Sequence, residues 1–306
     1  MRGITLLFVP CVLQFLAAPP VAHSSDKALN VIASIPDLAD IGREIGGGLV
    51  EISSLAKGVE DTHAVPVRPS HVAKLARADV LIELGLEMEH AWLPALVDAS
   101  NNQKIRSGGR IVVSEGIVPL EVPTIVSRTE GEQHPSGNPH VNLNPGAGRI
   151  MAENICKGLS LAAPQHKAVF EANLAKYLEK LTVKEKEWKA AGEKLKGVKF
   201  VSYHNHWPYW AEYFGMTYVG MIERKPGIAP SGSHVAELIK RMKAEDVKIV
   251  VREPQYSENV PLEIGTKTGA KVVKLSILAG GTPDTATWIE LIDSNLKRLL
   301  EAAGNK

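Results

Sequence analysis

The 306-residue chain carries 35 Lys and Arg against 34 Asp and Glu, is 44% apolar, and has 10 His but only 2 Cys. Near-balanced charge and an ample apolar fraction exclude an intrinsically disordered chain and a nucleic-acid binder working by bulk charge. Two cysteines cannot build a disulfide framework or a thiolate zinc site, so any bound metal must be held by histidine and carboxylate.

The first segment has Arg2, an apolar run from Ile4 to Ala18, and small residues ending in Ala22-His23-Ser24. It reads as a signal peptide over residues 1–24, cleaved near Ser24, because the run is too short to span a bilayer as an anchor. The mature chain is then expected in the periplasm with 34 basic and 34 acidic residues and one thiol, Cys156. A lone thiol suits an oxidising compartment, and its place beside Ile155 and Leu159 on a helical pattern predicts a buried packing role.

From Ala28 onward, short β-branched runs alternate with helical patterns. LNVIAS is followed by PDLADIGREI, VEISSL by PSHVAKLARA, and DVLIEL by an amphipathic stretch through Trp92 and Leu96, with RIVVSE later. Such βα alternation predicts a parallel sheet with helices on its faces. A second alternation runs from VKFVSY through MTYVGM, SHVAELIKRMK, VKIVV, VPLEIGTKTG and KVVKL to a final helix near Leu300.

Between the two lies a stretch in which Leu174, Tyr177, Leu178 and Leu181 keep the i, i+3, i+4, i+7 spacing within a Lys/Glu-rich background. One long helix of roughly 30 residues would reach on the order of 45 Å, a stiff strut between two units. The alternative is two shorter helices broken near the β-branched pair Thr182-Val183. The expected organisation is an N-terminal α/β lobe over residues 25–162, a linking helix over 163–196 and a C-terminal α/β lobe over 197–306.

Three histidines occupy strand-to-helix loops. His63 follows VEISSL, His140 sits in the Pro-flanked GNPHVNLNPG, and His204 follows VKFVSY with His206 two residues on. Carboxyl-end loops of parallel strands are where α/β units place ligands, and neutral imidazole is the commonest metal ligand near neutral pH. His71 and His234 sit early in helices where a solvated or capping role is enough, His90 precedes Trp92 on an amphipathic stretch, and His166 lies on the long helix. His134 lies in the polar loop TEGEQHPSGNP and reads first as a solvated loop residue, with transient contact to incoming metal as the alternative.

These segments, Asp61-Thr62-His63, Asn138-Pro139-His140 with Asn144-Pro145, and His204 through Tyr209 to Phe214-Gly215-Met216, resemble the cluster A-I metal-binding receptors of zinc and manganese ABC importers. The Glu-Pro-Gln at Glu253 is similar too, and the resemblance covers nearly the whole mature chain. It implies two lobes joined by a rigid helix with the metal in the interlobe cleft, held by His63 and His140 from the first lobe and His204 from the second. By register, His204 and not His206 matches the third ligand.

Where the family often supplies an Asp as fourth ligand, this chain has Ser276, which leaves the shell to water or to a carboxylate such as Glu60 or Asp284. Three nitrogen donors favour zinc over manganese. The implied partners are an importer permease and, as a further candidate, a periplasmic metallochaperone, with no nucleic acid, no membrane contact except through the permease, and a monomeric state. The competing reading is an exported zinc-dependent hydrolase, since three protein ligands plus an open position is also the catalytic zinc pattern. HExxH, Gly-x-Ser-x-Gly and Gly-rich phosphate-loop motifs are all missing from the sequence. A third reading is an α/β receptor for an organic ligand.

Overall fold

The computed structural model describes residues 27–124, 134–224 and 228–304. The signal segment, with Cys11 and His23, and the first part of the polar loop before His134 therefore lie outside the described residues.

The N-terminal lobe runs β1 (Leu29–Ala33), α1 (Pro36–Gly46), β2 (Val50–Ser54), α2 (Pro69–Arg77), β3 (Val80–Glu83), α3 (Leu93–Ser100), α4 (Gln103–Arg106) and β4 (Arg110–Val112), followed by α5 (Gly148–Ala162). Its four strands are all parallel in the order β2-β1-β3-β4, with Val31 opposite both Ile52 and Val80. Strands covered on both faces read as continuous apolar runs, and Val31, Ile32 and Ala33 are all buried. Pro36 opens α1, its fixed φ suiting a first helical position, and Leu38, Ile41 and Ile45 seal one face of that helix against the core.

The C-terminal lobe repeats the plan with β5 (Lys199–Ser202), α7 (Pro208–Phe214), β6 (Thr217–Met221), α8 (Gly232–Ala244), β7 (Ile249–Arg252), α9 (Asn259–Thr268), β8 (Lys271–Lys274) and α10 (Trp288–Ala302). The strand order β6-β5-β7-β8 is again fully parallel. Gly215 ends α7 with φ +63°, a left-handed turn that glycine adopts without steric cost.

The connecting helix α6 spans Lys167–Gly192 without a break, 26 residues flanked by 3-10 turns at Pro164–His166 and Glu193–Leu195. Thr182 does not interrupt it, because its hydroxyl donates to the carbonyl of Leu178 one turn earlier (2.8 Å) and is thereby satisfied within the helix. Phe170, Tyr177, Leu181 and Trp188 form its buried stripe. Cys156 is buried in α5, as its apolar neighbours predicted. Among the described residues no helix is long and apolar enough to cross a membrane.

The larger apolar core runs through both lobes without interruption, from Val31 and Ile82 to Trp210, Leu275, Trp288 and Leu296, and a smaller one fills the outer side of the second sheet around Val201, Leu238 and Ile264. Buried polar contacts reinforce the junction. Asp37 at the start of α1 accepts from Asn142 Nδ2 (3.1 Å) and from the Ala279 amide (3.0 Å), and Asp40 accepts from the Trp288 amide (2.8 Å). Trp288 Nε1 donates in turn to the Asn142 carbonyl (2.7 Å), and Asn142 Nδ2 also reaches the Ile277 carbonyl (2.9 Å).

Burial pushes the Asp37 carboxyl up to about 7, against the two N–H groups that hold it down. A folded-state value above the unfolded one means that Asp37 contributes most stability below about pH 4 and loses it as pH rises through about 7. Relative to Asp37→Asn, the parent should therefore lose stability across that window, by up to about 4 kcal/mol. Denaturant titrations of both proteins at several pH values check this. A gap between them that stays constant with pH would contradict it.

Candidate metal centre

Each histidine of interest sits on a loop that leaves the carboxyl end of a strand or enters a helix, and each is held by a specific local bond. Asp61 Oδ1 accepts from the His63 amide (2.9 Å), the Asx turn expected of an Asp two residues ahead, and Trp92 Nε1 braces the Thr62 carbonyl (2.9 Å). Asn138 Oδ1 accepts from both the backbone amide (3.0 Å) and the ring Nδ1 (2.9 Å) of His140. That pair fixes the Nδ1–H tautomer of His140 and leaves Nε2 with an available lone pair. Asn138 is itself tied within its lobe, where its Nδ2 donates to Glu121 (2.9 Å), and across the cleft, where Nδ2 also donates to the Asn205 carbonyl (3.0 Å) and its own carbonyl accepts from Tyr209 (2.6 Å).

On the facing lobe, Ser202 closes the end of β5 by donating its hydroxyl to the His204 carbonyl (2.5 Å), and the His206 amide donates to the same carbonyl (2.9 Å). His204 Nδ1 lies 3.4 Å from Glu223, and His206 Nδ1 lies 3.3 Å from Glu253. Glu253 also accepts from Trp207 Nε1 (2.8 Å), and burial pushes its carboxyl up to about 8. Glu223 and Glu253 follow β6 and β7, so three neighbouring strand ends of this sheet face the cleft with polar groups.

The structure brings His63, His140 and His204 together with His206 as a fourth. One ring nitrogen of each lies within 4.8 Å of those of the others, and all four residues are buried. The Nε2 atoms of His63 and His140 stand 3.0 Å apart, and the His206 ring centroid lies 4.4 Å from that of His204 and 4.5 Å from that of His140. Burial first, then neighbouring imidazoles, push His140 and His206 well below the ordinary histidine value. Both are therefore neutral near pH 7, the form that can ligate a cation.

The remaining histidines are placed apart from this cluster or at its edge. His134 stacks at a tilt over His63, with ring centroids 5.1 Å apart, so the polar-loop histidine does reach the mouth of the cluster. His234 bonds the Met221 carbonyl, while His71, for which a solvated or capping role was expected, is buried beside Arg68 near the start of α2.

Neither carboxylate proposed to complete the shell joins the four rings. Glu60 is paired with Arg68 and accepts from the Lys57 amide, and Asp284 is held by Arg298, Ser294 and Thr282 at a value near 2. Ser276 is buried with its hydroxyl donating to the Leu278 carbonyl (2.7 Å).

Two parallel α/β lobes with a buried imidazole cluster drawn from both define a bilobal solute-binding protein. The chain belongs to the ZnuA family, described as the periplasmic component A of a zinc-uptake complex, which it matches over residues 31–302. A crystal structure of ZnuA superposes with a TM-score of 0.78 at 28% identity, covering 90% of this chain and 99% of that one. A zinc-bound ZnuA deletion mutant gives 0.77 at 29%, covering 90% and 98%.

Among characterised relatives, the zinc-binding lipoprotein AdcA of Streptococcus pneumoniae is 25% identical over 98% of this chain, and this chain spans only 60% of AdcA's length. The manganese ABC transporter substrate-binding lipoprotein PsaA of the same species is 26% identical, covering 98% of this chain and 97% of its own.

Proposed function

We propose that the chain is the periplasmic zinc receptor of an ABC importer, which captures the ion between its lobes and hands it to a membrane permease. The observation that carries this reading is the convergence of His63, His140 and His204, from two lobes, on one buried point with their ring nitrogens within ligand range of one another. In this reading those three are the zinc ligands. The lobes are residues 25–162 and 197–306, joined by the 163–196 strut, and the 1–24 segment is the export signal. Membership of a periplasmic uptake family supports the location and the permease partner. A monomer suffices, because both halves of the site come from one chain. A metallochaperone would deliver ions at the His134 mouth.

Nitrogen donors select zinc over manganese, whose preferred ligands are oxygens in an octahedral shell. A hydrolase would need a general base beside a metal-bound water. Glu60 and Asp61, the nearest candidates by sequence, are engaged with Arg68 and with the His63 amide respectively. This favours binding over catalysis.

Calorimetric titration of the metal-free protein tests the reading. We expect one zinc per chain, held more tightly than manganese, and a loss of at least about tenfold in His63→Ala and in His204→Ala. Parent affinity retained in both variants would end it.

A further inference from the structure

The ring of His206 raises a question that the three-ligand reading leaves unanswered. Its Nδ1 faces Glu253, yet its Nε2 is fully buried and meets no hydrogen-bond partner. An orphaned buried ring nitrogen is a net cost to the fold, and a packing role alone would be better served by an apolar side chain of the same shape. The same ring lies 4.5 Å, centroid to centroid, from His140, and its nitrogen belongs to the set within 4.8 Å.

The end of β8, where a carboxylate oxygen would otherwise enter, contributes none. Ser276 donates its hydroxyl to Leu278 and its amide to Asn295 Oδ1 (3.0 Å), and Gly281 packs directly against its Oγ.

We infer that His206 is the fourth metal ligand, so that this chain closes its site with four imidazole nitrogens instead of three nitrogens and a carboxylate. The inference rests on the zinc-receptor reading and specifies its coordination shell. A tetrahedral zinc with bonds of about 2.0–2.1 Å needs donor separations of about 3.3 Å. His63 and His140 already stand near that separation, and the remaining rings need to close by at most about 1.5 Å from their 4.8 Å limit.

The support behind the rings also fits. The buried carboxyl groups of Glu223 and Glu253 stand directly behind His204 and His206, 3.4 and 3.3 Å from their Nδ1 atoms, where each can take up the ring N–H opposite a ligating Nε2. A carboxylate behind a ligating imidazole orients the ring and raises its basicity. An all-nitrogen shell also sharpens the preference for zinc over manganese, and it leaves no vacant position for a reactive water.

Zinc-edge X-ray absorption on the zinc-loaded parent tests this without any substitution: four imidazoles are expected, and three would overturn the inference. Chelator competition then compares His206→Ala and His206→Gln with His63→Ala. We expect both His206 variants to lose about 10- to 100-fold in zinc affinity and to narrow the zinc-to-manganese ratio, with parent-like circular dichroism. Parent affinity in both, with His63→Ala still defective, would overturn the fourth-ligand assignment while sparing the receptor reading. No zinc binding by the parent would overturn both.

Discussion

Replacing His140 with alanine is expected to lower zinc affinity by at least about 100-fold, since outer-sphere partners alone are worth about 10- to 100-fold. Two features make this ring the most sensitive of the set. Its Nε2 stands 3.0 Å from that of His63, and its tautomer is imposed by Asn138, which accepts from both its ring and its amide. Asn138→Ala should therefore reproduce part of the loss, about 10- to 100-fold, although Asn138 lies outside the four-imidazole cluster. It would also release the ties from Asn138 to Glu121 and to the Asn205 carbonyl, loosening the facing loop. Competition against a zinc indicator at fixed pH measures both. An Asn138→Ala protein with parent affinity would show that the ring needs no outside support to hold its tautomer.

Trp288→Ala is expected to be the most destabilising single change, costing about 3–5 kcal/mol in denaturant unfolding. The indole is fully buried, packs edge-on to Trp188 with centroids 6.0 Å apart, and fills the space over Gly148. Its Nε1 also satisfies the Asn142 carbonyl, two residues beyond His140. Trp288→Phe separates the two contributions. Keeping a ring while removing the N–H should cost only about 1–3 kcal/mol, the penalty of one orphaned carbonyl. Equal losses in the two variants would show that the hydrogen bond, and not the packing, dominates.

Most of the architecture was legible because the strands are β-branched runs that could be nothing else once helical spacing was found between them. LNVIAS, VKFVSY and VKIVV all lie at the centres of their sheets, and the 3.6-residue spacing of Leu174, Tyr177, Leu178 and Leu181 marked the face that α6 buries. VPLEIGTKTG, only loosely patterned, forms α9. The amphipathic pattern of α10 indicated a buried face without indicating its partner. That face lies in the core shared by the two lobes, so the lobes are less separate than two alternations suggested.

In the site, His63, His140 and His204 were visible through their strand-end or proline-braced settings. His206 was harder to place, because a spacing of two in an irregular segment does not say whether two rings share a side. The bond from the His206 amide to the His204 carbonyl turns the chain so that the two rings meet, with centroids 4.4 Å apart. Glu223 carried one usable signal, its position just past β6, but acidic residues at strand ends are too common for that to single it out. The failed carboxylates failed for one reason: Glu60 and Asp284 each have a cationic neighbour, Arg68 and Arg298, that sequence distance concealed.

Because the donor rings project from both sheets, the binding point exists only after the two halves of the chain have docked over their common core. In the zinc-receptor reading, ion binding therefore follows that docking and falls late on the folding route. A ligand that recognises only the finished state lowers the native level and leaves the barrier untouched. Zinc would act on this chain as a brake on unfolding, lengthening the life of the native state many-fold, while the rate at which the chain first folds stays the same with or without the ion.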